Sequence, residues 1–249
     1  MSPPRRFVFV HGSQSDRRVW DPLIALAPPG VVVSTFDLPD HGASADVSDP
    51  DPELLRRAVV ENVSALEAGR LVFVGHSLGA HLIASLAAEL SERIERAVLI
   101  SGFDYLHEED ERTYRAMVNG LERGRLDLEL LREVALEVGL GERHRRPEHD
   151  ELVTKMQEMS FERAVRSLRR GLVLGPPGVE PYTCPATVIH GRDDAAIPYA
   201  RSEELAAKGS DAALVPLDTD SHVLPLTHPQ ELARFVFRSS AGDAPGDAS

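Results

Sequence analysis

Six short apolar runs punctuate the chain, at residues 7–10, 31–38, 71–74, 97–100, 186–189 and 213–218. Each is continuous rather than alternating, the pattern of a strand buried on both faces of a parallel sheet. Between most of them apolar residues recur at intervals of three and four. The stretch "DPELLRRAVVENVSALEAG" predicts an amphipathic helix, and "GAHLIASLAAELSERI" predicts a small-residue helix able to approach a sheet closely. Strand alternating with helix predicts an α/β fold with a doubly wound, mainly parallel sheet of about six strands.

One stretch breaks the alternation. Residues 105–179 carry no strand pattern, only helical periodicity rich in Glu and Arg, and are expected to form a helical insertion between two strands. The division that follows is a discontinuous core, residues 1–104 and 180–239, with a helical cap at 105–179. Residues 240–249 ("AGDAPGDAS" preceded by Ser) form a tail whose composition cannot support a core.

The chemistry gathers where strands end. "LVFVGHSLGAHL" runs from an apolar strand through Gly75-His76-Ser77-Leu78-Gly79 into a helix. In that setting G-x-S-x-G describes a turn too tight for side chains at its flanks, with the Ser77 hydroxyl held exposed. The following helix aims its N-terminal amides and dipole at developing negative charge. A serine hydroxyl is a feeble nucleophile at neutral pH, so it needs a base, and the base an orienting acid. Past the next strands lie Asp193 and Asp194 in "VIHGRDDAAIP", then His222 in "DTDSHVLPL". In doubly wound sheets such strand ends converge on one crevice.

These segments, together with "FVFVHGSQSDRRVWDPL" and "DLPDHGAS", resemble the α/β-hydrolase superfamily, in particular its capped serine esterases and enol-lactonases. The resemblance runs from about Phe7 to Arg238 and leaves only the cap unmatched. It implies Ser77 as nucleophile, His222 as general base and acid, and Asp194 as the orienting carboxylate. Asp194 is preferred to Asp193 for its spacing from Gly191 and Pro198, with Asp104 as runner-up. The backbone N–H groups of Ser13 and Leu78 would form the oxyanion hole. Only six residues precede Phe7, so the sheet should be shortened at one edge, with the family's usual N-terminal edge strands shortened or missing. Asp40 stands where a glycine is common, and is expected at the site mouth, acting on access or substrate charge.

The reading is a hydrolase of small carboxylic esters, lactones or thioesters that works through an acyl-enzyme and needs no cofactor or metal. C–C bond hydrolysis, a lyase on the same triad, and a ligand-binding receptor are the alternatives. A near-neutral cap with apolar stripes (Met117, Leu121, Met156, Met159, Phe161) should enclose a small, mainly apolar group. His76, His11, His41, His81 and His190 are expected to be supporting polar side chains, His228 a surface or helix-capping residue, and Trp20 a packing residue between the first helix and the sheet.

Composition narrows the partners. The formal net charge is −13 with no basic stripe, which argues against nucleic acid and anionic membrane surfaces. No run approaches the roughly 20 apolar residues of a membrane span. A single cysteine, Cys184, and an apolar N-terminal stretch too short for an export signal lead us to expect a cytoplasmic protein.

Overall fold

A computed structural model describes residues 4–48, 51, 53–172, 174 and 178–238. The tail expected at residues 240–249 lies outside them. The apolar runs become six strands: β1 (Arg5–Val10), β2 (Val31–Thr35), β3 (Leu71–His76), β4 (Ile94–Ile100), β5 (Ala186–Gly191) and β6 (Ala212–Leu217). They form one sheet, ordered β2-β1-β3-β4-β5-β6, in which every pairing is parallel. From β1 the sheet is extended by β2 on one side and by β3 and its successors on the other, so the order of addition reverses between β1 and β3. That reversal opens a crevice at the carboxyl ends of these two strands.

Strand β2 is shorter than its apolar run. It stops at Thr35 because the chain then turns inward, and the amide of Leu38 donates to His11 Nε2 at 2.9 Å instead of to a neighbouring strand.

Alternate residues of the central strands feed two apolar layers. Val8, Val10, Phe73 and Leu99 face one side, against α2 (whose range is Leu54–Ser64, after the short α1, Asp21–Ile24) and α3 (Leu78–Ser85). Phe7, Phe9, Val74 and Ile100 face the other, with Trp20 wholly buried against Phe9 at a ring distance of 5.1 Å. Burying a side chain such as Phe7 or Phe73 contributes about 1.5–3 kcal/mol. Helix α3 is shorter than its sequence pattern. It ends at Ser85, and hydrogen-bonded turns carry the chain on to β4.

Between β4 and β5 the described chain is helical: α4 (Glu108–Glu122), α5 (Leu128–Val134), a π-turn at Ala135–Gly139, α6 (Pro147–Met156) and α7 (Phe161–Gly171). Val118, Leu121, Leu131, Ala164, Val165 and Leu168 give this segment an apolar core of its own. Phe161 departs from the expected stripe. It is 40% exposed, because as the first residue of α7 it precedes the turn that faces inward. The C-terminal helices α8 (Tyr199–Ala207), α9 (Leu224–Thr227) and α10 (Pro229–Val236) complete the two layers. Among the described residues no helix is long and apolar enough to cross a membrane.

Candidate active site

Ser77 sits between β3 and α3 with φ +52° and ψ −115°, a backbone conformation that residues with a Cβ rarely adopt. The two glycines around it make this possible. A Cβ on Gly79 would lie 2.0 Å from the carbonyl oxygen of Val10, and one on Gly75 would lie 2.6 Å from the amide of Ala80. The first would push α3 away from β1 and the second would push it away from β3, so the serine owes its place in the turn to close backbone approach on both sides. The Ser77 amide donates to the carbonyl of Ile100 at 2.8 Å, tying the turn to β4.

His222 reaches the same crevice from the loop after β6. Its Nδ1–H donates to Asp194 Oδ2 at 2.7 Å. Its backbone is gripped from three directions. The carbonyl accepts from His76 Nε2 at 3.0 Å and from Ser101 Oγ at 2.9 Å, and the amide donates to Gly139 at 2.9 Å. Gly139 ends the π-turn, an irregularity that aims a carbonyl out of the helical segment. Ser77 and His222 line one cavity of about 370 Å³, and the Ser77 hydroxyl has no hydrogen-bond partner among the described residues.

Asp194 is 6% exposed and fully engaged. Oδ1 accepts from the amides of Ala196 (2.8 Å) and Ile197 (3.0 Å). Oδ2 takes, besides His222, the ring of His190 at 2.9 Å. Burial pushes this carboxyl's pKa up, but the bonds and charges of His222 and His190 outweigh it and hold the group well below the usual carboxylate range. The neighbouring candidates go elsewhere. Asp193 faces solvent and pairs with Arg143 at 3.0 Å. Asp104 is buried but accepts from the amide of Val179 at 2.6 Å and lies 3.3 Å from Lys208 Nζ.

Ser13 and Leu78 border Ser77 from β1 and α3. Neither amide donates to an acceptor among the described residues, which leaves both free to point at a ligand. The loop carrying Ser13 is built on a buried histidine. His11 Nδ1–H donates to the carbonyl of Gly12 at 2.7 Å, while its Nε2 accepts from Leu38. Ser13 Oγ lies 3.4 Å from Ser167 Oγ on α7, and Ser167 lies 2.7 Å from His41 Nε2. Burial pushes His41 and His76 down to about 3, so both rings are neutral near pH 7. His81 packs flat on Phe103. Among the described residues these histidines do not join any cluster able to hold a metal ion. His228 packs its ring on His144 at 4.7 Å, at the start of α10.

Asp40 is not at the site mouth. It is wholly buried, with φ +64°, the left-handed conformation that suits glycine and that aspartate tolerates. Its carboxylate accepts from Arg166 Nε at 2.9 Å, Arg170 Nη2 at 2.7 Å and the amide of Val47 at 3.0 Å. Burial raises its pKa, and these donors overcome that and lower it. It therefore clamps α7 to the core and cannot act on substrate charge.

Several groups escaped sequence reasoning. Gly139 has no motif, and only the π-turn shows its role. His190 appeared as one scattered histidine among several. Gln14, Gln157 and Tyr114 line the cavity with Met117 and Met156, but nothing in their local sequence marks them.

A model of the alpha/beta hydrolase family matches residues 7–235. The chain is 28% identical over 245 residues to a pimeloyl-[acyl-carrier protein] methyl ester esterase of Aromatoleum aromaticum, covering 92% of this chain and 95% of that one. It is 22% identical to an (E)-2-((N-methylformamido)methylene)succinate hydrolase of Acinetobacter baylyi, over 90% of this chain and 86% of the relative. The enol-lactonase of Burkholderia xenovorans superposes with a TM-score of 0.80 at 22% identity, over 94% and 90% of the two chains.

Proposed function

The chain belongs to the α/β-hydrolase family, and from the chemistry of its cleft we propose that it is a serine hydrolase cleaving a small carboxylic ester, lactone or thioester. Ser77 Oγ attacks the substrate carbonyl carbon and gives its proton to His222 Nε2. Asp194 holds the Nδ1–H, fixing the tautomer and stabilising the imidazolium that forms. The carbonyl oxygen becomes an oxyanion held by the amides of Ser13 and Leu78, a contribution of roughly 3–4 kcal/mol for each such donor. His222 returns its proton to the leaving oxygen or sulfur as that bond breaks, leaving an acyl-enzyme. Water, deprotonated by His222, then releases the acid and restores Ser77.

The observation that carries this reading is the 2.7 Å bond from His222 to a buried, ionised Asp194, opening on the cavity that holds the strained Ser77. The methyl ester esterase and enol-lactonase among the related proteins fit the same bond class. A helical cap formed by the segment between β4 and β5 closes the cavity, and its walls suit a short, mainly apolar acyl or alcohol group. The single half-buried thiol, Cys184, accords with a cytoplasmic location.

Two measurements on purified protein test the proposal. A fluorophosphonate probe should label the native chain on Ser77, and a panel of p-nitrophenyl esters should turn over fastest at short acyl lengths. Ser77→Ala should lose labelling and turnover while keeping its circular dichroism and melting temperature. Undiminished turnover in Ser77→Ala would refute the mechanism.

A further inference from the structure

The cavity beside Ser77 is unusual in its charge. Among the described residues lining it there is no lysine or arginine, and Asp110 is the one carboxylate on its wall. Asp110 is already committed, accepting from Arg201 Nε at 2.8 Å and from the amide of His107 at 3.3 Å. A substrate carboxylate placed here would meet no cation on the cavity wall, and would sit in the field of the ionised Asp194 behind His222. The serines, Thr113 and the two glutamines of the wall carry no charge. Burial pushes the Tyr114 phenol up to about 12, which leaves it a neutral donor.

Gln14 stands out among them. It follows Ser13 directly and lines the cavity with φ +56°, a conformation disfavoured for any residue bearing a Cβ. Its Nε2 is buried and donates to nothing among the described residues. A buried donor without an acceptor is costly, and a ligand oxygen would remove that cost. Gln157, just after α6, lines the same cavity and is buried. Contact between Ser15 Oγ and Met156 Sδ, at 3.5 Å, sets these two segments side by side.

We infer that the cleft selects an uncharged acyl group bearing a carbonyl or amide oxygen, and that Gln14 is the specificity-determining residue that hydrogen-bonds it. This rests on the assignment of Ser77 as nucleophile and adds a substrate class to it. A free acid of the same shape is excluded by charge, and a plain alkyl chain is accepted but leaves Gln14 unsatisfied.

The test compares p-nitrophenyl succinamate with p-nitrophenyl hemisuccinate at pH 7.5, two esters of nearly one shape that differ by a charge. The neutral amide should exceed the acid in kcat/KM by about a hundredfold or more, since a site built for one polar partner rejects an analogue it cannot satisfy. Gln14→Gly, which tolerates the positive φ, should lower the ratio of kcat/KM for the succinamate over p-nitrophenyl butyrate about tenfold, the worth of one hydrogen bond. Equal rates for amide and acid, or an unchanged ratio in Gln14→Gly, would overturn the inference. A binding arm separates it from the catalytic reading. By ligand-observed NMR, Ser77→Ala should bind methyl succinamate in preference to monomethyl succinate. That preference in a protein that hydrolyses no ester would keep the charge selection and sink the acyl-enzyme. Equal binding, with ester turnover intact, would do the reverse.

Discussion

Strand β3 is buried at all six of its residues, every one apolar but His76 and Gly75, whereas α7 buries six of eleven, and two of those are Ser167 and Arg170. The same contrast holds for the two halves of the molecule. The sheet is held by apolar layers on both faces, which are non-directional and tolerant of where a neighbour sits. The helical segment has its own small apolar core, but much of its attachment to the sheet is directional. Arg166 and Arg170 reach Asp40, Arg163 reaches the carbonyls of Gly42 (3.1 Å) and Ser44 (2.9 Å), and Arg18 of the core donates to the carbonyl of Lys155 at 2.8 Å. Directional contacts suit a part whose position must be exact, because Gly139 and Ser167 of this segment touch the loops of His222 and Ser13. Apolar layers build the platform, and polar contacts set the roof.

The largest expected effect tests whether the chemistry belongs to the sheet half. Asp194→Asn should lower turnover about 10⁴-fold, the loss seen when a triad acid is neutralised. Asp104→Asn, equally buried and on the neighbouring strand end, should keep turnover within a few-fold while losing stability. Steady-state kinetics on the two variants decides it. A dominant Asp104 would mean that the acid comes from β4.

Next in size is the clamp. Asp40→Asn keeps the shape and the left-handed backbone but strips the charge opposite Arg170, which is almost wholly buried. Removing one partner of a buried ion pair costs about 3 kcal/mol. Hydrogen exchange should show α7 opening first, with β3 still protected. Uniform loss of protection in both would erase the distinction between platform and roof.

The smallest effect per group comes from pH. His41 lies where the two halves meet, beside Ser167 of α7, and His76 at the end of β3 donates to the carbonyl of His222. Burial holds both near 3 in the folded state, against about 6.5 unfolded. Between those values the unfolded chain binds protons that the folded chain refuses, so stability falls as pH drops. The slope is about 1.4 kcal/mol per pH unit for each ring. Urea midpoints at pH 7.0 and 5.5 measure it, and His41→Gln should shallow the dependence. A midpoint that does not move across that interval would place the acid sensitivity elsewhere.

Much of this was legible in the residues themselves. Continuous apolar runs fix a strand buried on two faces because no water-facing side is provided for. Gly75 and Gly79 announce a turn without room for side chains, and the structure shows the backbone atoms that fill the space. The order of Ser77, Asp194 and His222 along the chain placed each after a strand, and a parallel sheet brings strand ends together whatever the loops contain. Asp40 shows the limit. A carboxylate in a loop near a site reads as a substrate contact, and nothing local reveals that three residues of a helix over a hundred positions later turn toward that loop. The same holds for His190 behind Asp194, for the carbonyl of Gly139 against His222, and for the unpartnered amide of Gln14. Local chemistry determined the strands and the elbow, because those depend on what a short stretch can bury or bend, whereas the choice of Asp194 over Asp193 rested on the family resemblance. Only the tertiary structure decided which distant groups answer one another, because pairing between far-separated polar groups is set by the packing of whole elements and leaves no periodicity in the chain.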